Sequence, residues 1–328
     1  MNAIGGRRPC LSGERNPFPV DTQFTIWQAS AAAALLLLVA LYGRGWRRLH
    51  RALPTLATGA RLVALSGALL ALTLALVWPL PIWSNYLLTL RSLQKVLIAM
   101  VAAPLLWLSC PVQTIAWGLR GPARRALVAL HRGRDPLSRG ARALTRPLFC
   151  WFAFLGAFLF WHDPQAVPFM VGTSWFHFVA PWLLLGAALL FWWHVVDTGP
   201  RLHTRLPAWV LIVYVIAVEI PNMVAGVTIA FSGAPLYGYY ATLHAQGRAL
   251  LPLTAITDQM TGGAIVWVFG SLVYIGSIVA VLHRLFRRDG STAPHPLAGW
   301  DANEKFIAPG LEQRVVQNRL RNIDLSHH

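Results

Sequence analysis

The sequence predicts an all-α protein, a polytopic membrane bundle of about seven transmembrane helices. Of its 328 residues, 56% are hydrophobic and only 12% are charged, and the mean hydropathy is +0.51. A soluble domain carries roughly twice that share of charged residues, and a disordered chain is poor in apolar and aromatic ones. An ordinary soluble enzyme and a disordered protein are therefore excluded. The 15 Trp and 15 Phe residues are typical of the aromatic belts at membrane interfaces.

Seven apolar runs are long enough, or nearly so, to cross a hydrocarbon core of roughly 30 Å. Each run is predicted to be a helix, because lipid offers no partner to an unpaired backbone N–H or C=O group. The fourth run is short, so it either begins earlier or lies where the bilayer is thinner. The runs are residues 24–42, 60–80, 85–108, 147–161, 173–196, 207–231 and 262–282.

Arginine-rich connections alternate with nearly uncharged ones along the chain. The first connection carries four arginines, Arg44, Arg47, Arg48 and Arg51. The alternate connections, 79–86, 163–172 and 232–261, hold at most one basic residue each. Because cytoplasmic loops are enriched in Lys and Arg, the pattern places the amino terminus outside and the carboxy terminus in the cytoplasm. The same pattern accounts for the formal net charge of +16 without nucleic-acid binding.

These spans divide the chain into three parts. The prediction is an extracytoplasmic tail at 1–23, a seven-helix transmembrane domain at 24–283 and a cytoplasmic basic tail at 284–328. Within the last part, 312–322 (EQRVVQNRLRN) is interpreted either as a short basic helix on anionic lipid or a partner, or as a partly ordered solvated segment.

Few polar side chains lie inside the apolar runs, where an ionised group costs about 2.5–3.5 kcal/mol on insertion scales. The set comprises Arg91, Gln94 and Lys95 on one face of the third run, and Glu219 and Asn222 in the sixth. At about 1.5 Å per helical residue, Lys95 and Glu219 both lie roughly 15 Å from the outer end of their helices. Equal depth predicts a Lys95–Glu219 contact, which either only fixes helix packing or also serves function.

A further group of polar residues lies near the predicted outer face. Its members are His162, Asp163, His177, Asp258 and Gln259. We expect Arg91 to lie near His177, Asp258 or Asn222. His162 and His177 end one run and begin the next, so they are candidate metal ligands. Two imidazoles hold a metal only with further ligands, and a histidine at a membrane edge is more often an interfacial hydrogen-bonding group.

Five segments carry motifs that occur in a known order. They are RSLQKVLIAMVAAPLLWLSCP (91–111), WHDP (161–164), SWFHFVAPWLLLGAALLFWW (174–193), PLYGYYA (235–241) and DQMTGGAIVW (258–267). Together they resemble the CtaG family, the seven-span assembly factors of haem-copper cytochrome c oxidases. The corresponding family motifs are H-M-x-Q-H, W-H-x-P, H-x-x-E-H, P-L-Y-x-x-Y and D-Q-x-x-x-G-x-x-x-W.

The chain departs from this pattern where the family carries potential metal ligands. The two histidines of H-M-x-Q-H correspond to Arg91 and Lys95, whose protonated side chains do not bind a metal cation. The last two positions of H-x-x-E-H are Ala180 and Pro181. The cations are interpreted as partners of Glu219, or of an anionic group such as a lipid phosphate or a haem propionate.

The resemblance implies a non-enzymatic assembly or accessory factor for a haem-copper cytochrome c oxidase. It also implies a multi-pass protein of the bacterial cytoplasmic (inner) membrane, with oxidase subunits and the lipid bilayer as partners. Copper is a candidate cofactor, with His162 and His177 as the remaining ligands. One alternative is a resident accessory subunit of a respiratory complex that has lost metal binding. The other is a transporter or proton pathway, against which the scarcity of charges and the lack of an inverted repeat both argue.

Overall fold

The structure is a computed structural model that describes residues 22–119, 121, 136–200 and 202–291. Every regular element in these ranges is helical, which confirms the predicted fold class. Of the described residues, those up to Leu282 belong to one compact unit and those from His283 to Ser291 belong to a second. The predicted amino-terminal tail up to residue 21 and the basic segment 312–322 lie outside the described residues.

Thirteen α-helices lie within the described ranges. In chain order they are α1 (Thr22–Ala52), α2 (Gly59–Leu72), α3 (Leu80–Trp83), α4 (Leu88–Val96), α5 (Ala103–Leu108), α6 (Pro111–Gly118), α7 (Pro136–Leu144), α8 (Pro147–His162), α9 (Ala166–Gly172), α10 (Ser174–Val196), α11 (Ala208–Phe231), α12 (Gly238–Ala245) and α13 (Ala255–Ser291). A 3₁₀ turn (Pro54–Leu56) follows α1, and the π turns Thr73–Val77 and Leu97–Ala102 follow α2 and α4.

Six helical segments are long and apolar enough to cross a membrane. They are Ile26–Ala52, Gly59–Val77, Leu88–Leu108, Trp175–Val196, Ala208–Phe231 and Ala255–Phe286. The helix α8 is the shorter apolar one, at the place where the sequence predicts a short fourth span. The orientation of the bundle stays a prediction from the arginine pattern, and "outer end" below means the end that this pattern places outside.

The helix α1 is longer than predicted, because it continues to Ala52 instead of ending at residue 42. The arginines of the first predicted connection therefore lie on a helix. Long arginine stems can lie along an apolar surface while the charged heads reach the interface, so basic residues alone do not end a span. Near the carboxy-terminal end of α1, a Cβ atom on Gly45 would collide with the backbone of Thr114 in α6. Glycine at this position therefore permits close packing of α1 and α6.

The outer end also holds more helix than the sequence predicts. The predicted connections contain α9 and α12, and α13 begins at Ala255, seven residues before the expected start at 262. The hydroxyl of Thr254 accepts a hydrogen bond from the N–H of Thr257 at 3.1 Å, which caps the first turn of α13. As a consequence, Asp258 and Gln259 lie on the first turns of a helix rather than in a loop.

Aromatic side chains form the centre of the bundle where α8, α10, α11 and α13 meet. Phe191 lies between Phe154 and Tyr214, with ring centroids 4.7 Å and 4.8 Å away. The next residue, Trp192, stacks on Tyr274 at 6.0 Å and donates its indole N–H to the carbonyl of Ala99 at 2.8 Å. These contacts fix α10 against the third span, which carries the buried cations.

Candidate functional site

The polar residues predicted within the spans fall into two separate clusters. One surrounds Arg91 on α4, and the other joins Glu219 on α11 to α13. The carboxylate of Glu219 is bound by Asn222 and Ser271, and it forms no ion pair with Lys95. The predicted Lys95–Glu219 pair is therefore wrong.

Arg91 is held by groups that do not neutralise its charge. Its side chain is 2% exposed, and Nη2 donates to the thioether sulfur of Met170 at 2.9 Å. The guanidinium carbon lies 5.4 Å from the ring centroid of Trp161. A thioether is a weak acceptor and an aromatic face attracts a cation only moderately. The Nε atom is buried without a hydrogen-bond partner, so the guanidinium keeps an unsatisfied donor.

Lys95 lies one helical turn from Arg91 and is 3% exposed. It is within electrostatic reach of both Arg91 and His162. Between them, the amide of Gln94 donates to the carbonyl of Ala75 at 2.7 Å and ties α4 to the π turn after α2. The third span thus presents two buried basic side chains on one face, at the places where the resemblance implies imidazoles.

A small cavity lies beside Arg91 and measures about 10 Å³. Its lining residues are Arg91, Gln94, Trp161, Met170, His177, Ala180 and Pro181. The predicted proximity of Arg91 and His177 is confirmed by this cavity. Arg91, Ala180 and Pro181 are all positions where the resemblance implies a ligand, so the substitutions converge on one place in the bundle.

His162 ends α8 in a fully packed position. Its Nδ1 lies 2.8 Å from the carbonyl oxygen of Phe158, and its ring centroid is 4.1 Å from that of the same phenylalanine. The Nε2 atom is buried and has no hydrogen-bond partner. His177 lies at the cavity and interacts with the backbone of Pro81.

The groups around Arg91 do not fit the copper ion that the resemblance implies. A copper site collects several lone pairs from imidazole, thiolate or thioether ligands. His162 has one unpartnered ring nitrogen, but it faces the field of Lys95 and Arg91. The thioether of Met170 already accepts from the Arg91 guanidinium. A metal cation bound to the Met170 sulfur would therefore lie close to the positive charge of Arg91, which is hydrogen-bonded to that same sulfur.

The second cluster ties α11 to α13. The amide of Asn222, whose side chain is fully buried, donates to Glu219 Oε2 at 3.2 Å and reaches the carbonyl of Val266 at 3.5 Å. The hydroxyl of Ser271 donates to the other carboxylate oxygen of Glu219. Glu219 is thus engaged by α11 and α13 and forms no ion pair with Lys95.

Asp258 closes the outer end of the bundle from the first turn of α13. Its two carboxylate oxygens accept hydrogen bonds from the backbone N–H groups of Leu88 at 2.8 Å and Thr89 at 3.0 Å. They therefore cap the start of α4, whose first N–H groups have no partner within the helix. His244 on α12 bonds the same carboxylate at 3.2 Å. Asp258, predicted as an outer-face polar group, is 1% exposed.

Gln259 fixes the segment that follows α11. Its Oε1 accepts from the N–H of Leu236 at 2.6 Å, and its Nε2 donates to the carbonyls of Ile229 at 3.2 Å and Ala234 at 3.3 Å. Asp163 differs from Asp258 and Gln259, because it is exposed and only accepts from the N–H of Gln165 at 2.9 Å.

Sequence reasoning did not single out two tyrosines at this end. Tyr237 donates to the carbonyl of His162 at 2.7 Å, and Tyr240 donates to the carbonyl of Ser84 at 2.6 Å. Burial raises the pKa of both hydroxyls, so both remain protonated donors. The signal available in the sequence was the PLYGYYA motif, since a tyrosine in an apolar setting usually finds a partner for its hydroxyl.

The chain was also compared with known proteins. The model of one protein family, described as cytochrome c oxidase caa3 assembly factor, matches residues 40–288. This match covers more than half of the chain and includes Arg91, both polar clusters and the Asp258 contacts. No curated protein and no solved structure matches the chain.

Proposed function

The chain belongs to the family of cytochrome c oxidase caa3 assembly factors, and on that premise we propose how it acts. It is an integral component of the bacterial cytoplasmic (inner) membrane that supports the maturation of a haem-copper oxidase without catalysing a reaction. The observation that carries this proposal is the family match, which runs from within α1 to near the end of α13 and thus spans the whole helical bundle.

The exposed faces of the spanning helices support a role through contact within the membrane. Leu36 on α1 is 69% exposed, Trp209 on α11 is 69% exposed and Leu272 on α13 is 63% exposed. Apolar faces of this kind pack against lipid or against the helices of a membrane partner. Oxidase subunits are the proposed partners, since they are themselves the object of assembly.

Deleting the gene is expected to lower the haem-copper oxidase signal in membranes severalfold at normal copper supply, because subunits lacking the factor mature poorly. The measurement is the reduced-minus-oxidised haem spectrum together with oxidase activity of isolated membranes. Expression of the wild-type chain should restore both readouts, and so should the chain with Asp163→Ala, whose side chain is exposed. Membranes with unchanged oxidase after deletion would contradict the proposal.

A resident subunit is the second candidate, favoured by the loss of potential ligands at Arg91 and Lys95 while the bundle is retained. Affinity purification of the mature oxidase distinguishes the two roles. A stoichiometric amount of this chain in the active complex identifies a subunit. Its presence only with immature oxidase identifies an assembly factor.

We further propose that the chain supports assembly without holding copper at His162 and His177. The double variant His162→Ala/His177→Ala is expected to keep most oxidase maturation, provided that the protein still accumulates in the membrane. The readouts are the oxidase copper content and the amount of the variant protein. Loss of oxidase copper, with normal amounts of variant protein and rescue by added copper, would show that these histidines do handle the metal.

A further inference from the structure

Arg91 carries a permanent charge in the interior of the bundle. A guanidinium is not deprotonated in proteins, so burial cannot remove the charge. Removing one partner of a buried charge is strongly destabilising, and buried donors are normally hydrogen-bonded. A fully buried arginine in a membrane protein therefore calls for an acceptor beside it, such as an acid, a backbone carbonyl or water, and of these only an anion also neutralises the charge.

The carboxylates near this part of the bundle are already engaged. Asp258 accepts from Leu88 and Thr89 and bonds His244. Glu219 is bound by Asn222 and Ser271. Neither Arg91 nor Lys95 forms an ion pair with a carboxylate of the described residues, so no acidic side chain among them contacts Arg91.

Two of the residues that line the cavity carry an unsatisfied donor. The Nε of Arg91 and the Nε1 of Trp161 are both buried and lack a hydrogen-bond partner, and both residues line the cavity. Trp161 is 4% exposed. An indole N–H and a guanidinium N–H can only donate, so an acceptor satisfies both, and an acceptor with negative charge also neutralises Arg91.

We infer that this cavity binds one small inorganic anion of halide size as the counter-ion of Arg91. The cavity volume of about 10 Å³ is close to the room that one water needs, so a halide enters with a small outward shift of the lining side chains. A phosphate or a carboxylate-bearing ligand would need a far larger rearrangement. Lys95, one turn along α4, is a second buried side chain that can only donate hydrogen bonds. An anion thus binds at the place where the resemblance implies a metal cation. This inference is independent of the role in oxidase assembly.

The test uses the full-length protein purified in detergent. The buffer contains gluconate in place of chloride, because gluconate is too large to enter the cavity. Radioactive chloride is expected to bind saturably with one ion per chain. Arg91→Gln is expected to weaken binding at least about tenfold, which is what loss of a charge-assisted hydrogen bond produces. Trp161→Phe should weaken it less, since it removes a neutral donor. The matched control is Arg248→Gln, which changes an exposed arginine and should bind chloride like the wild type.

The inference is overturned if the wild type binds no chloride saturably, or if Arg91→Gln and Arg248→Gln bind it equally well. Should Arg91→Gln fail to fold, crystals of the wild-type protein grown in bromide decide the matter. A single anomalous bromide peak at hydrogen-bonding distance from the Arg91 guanidinium supports the inference. A map without that peak contradicts it.

Discussion

Replacing Asp258 by alanine is expected to destabilise the folded protein by about 3–5 kcal/mol, because each buried donor that loses its acceptor costs about 1–3 kcal/mol. The carboxylate serves two backbone N–H groups, those of Leu88 and Thr89, and the imidazole of His244. Its removal uncaps α4 and releases α12 at the same time. The free energy of unfolding, or the midpoint of denaturation by heat or SDS in detergent micelles, measures the loss.

Two further variants separate the lost contacts from a general effect of substitution. Asp258→Asn keeps one oxygen acceptor and turns an amide donor towards the other backbone N–H, so an intermediate loss of stability is expected. Asp163→Ala is the matched control, because that aspartate is exposed and accepts one local hydrogen bond. Surface changes of this kind are usually within about 0.5 kcal/mol. Equal stability of the Asp258→Ala and Asp163→Ala proteins would show that the carboxylate does not hold the outer end.

The spans were predictable because length and hydropathy are properties of a local window. The sequence placed α10 and α11 within about one residue of their observed ends. It missed α9 and α12, since helices of seven and eight residues are too short for a periodic signal beside glycine and proline. It also placed the start of α13 too late, because the decisive signal is a single capping hydroxyl, that of Thr254.

The site was predictable in part for a different reason. Helical spacing correctly placed Arg91, Gln94 and Lys95 together, and the expected position of Arg91 towards the outer face gave His177 as one of its three candidate neighbours. The Lys95–Glu219 contact was predicted from equal depth in the membrane, and it was wrong because two groups at the same depth can lie on different sides of a bundle. The rotation of α11 sends the Glu219 carboxylate to Ser271 on α13, and rotation about a helix axis is set by packing against neighbours.

That packing depends on close approach of α11 and α13 at small residues. A Cβ atom added at Gly263 would lie 2.8 Å from both the Cα of Ala230 and the carbonyl oxygen of Gly226. Gly226 in turn faces Trp267, where an added Cβ would lie 2.8 Å from the backbone nitrogen. Small residues spaced four apart let membrane helices approach backbone to backbone.

Substituting Gly263 by alanine is therefore expected to destabilise the protein by about 1–3 kcal/mol, the usual cost of overpacking. The matched control is Gly276→Ala in the same helix, where an added Cβ meets open space. Because alanine favours the helix by about 0.5–1 kcal/mol over glycine, the control is expected to be neutral or more stable in the same unfolding assay. The two substitutions are chemically identical, so opposite signs isolate the helix contact. If Gly263→Ala is as stable as Gly276→Ala, then α11 and α13 are not held at backbone contact, and the placement of Asn222 against Val266 needs another cause.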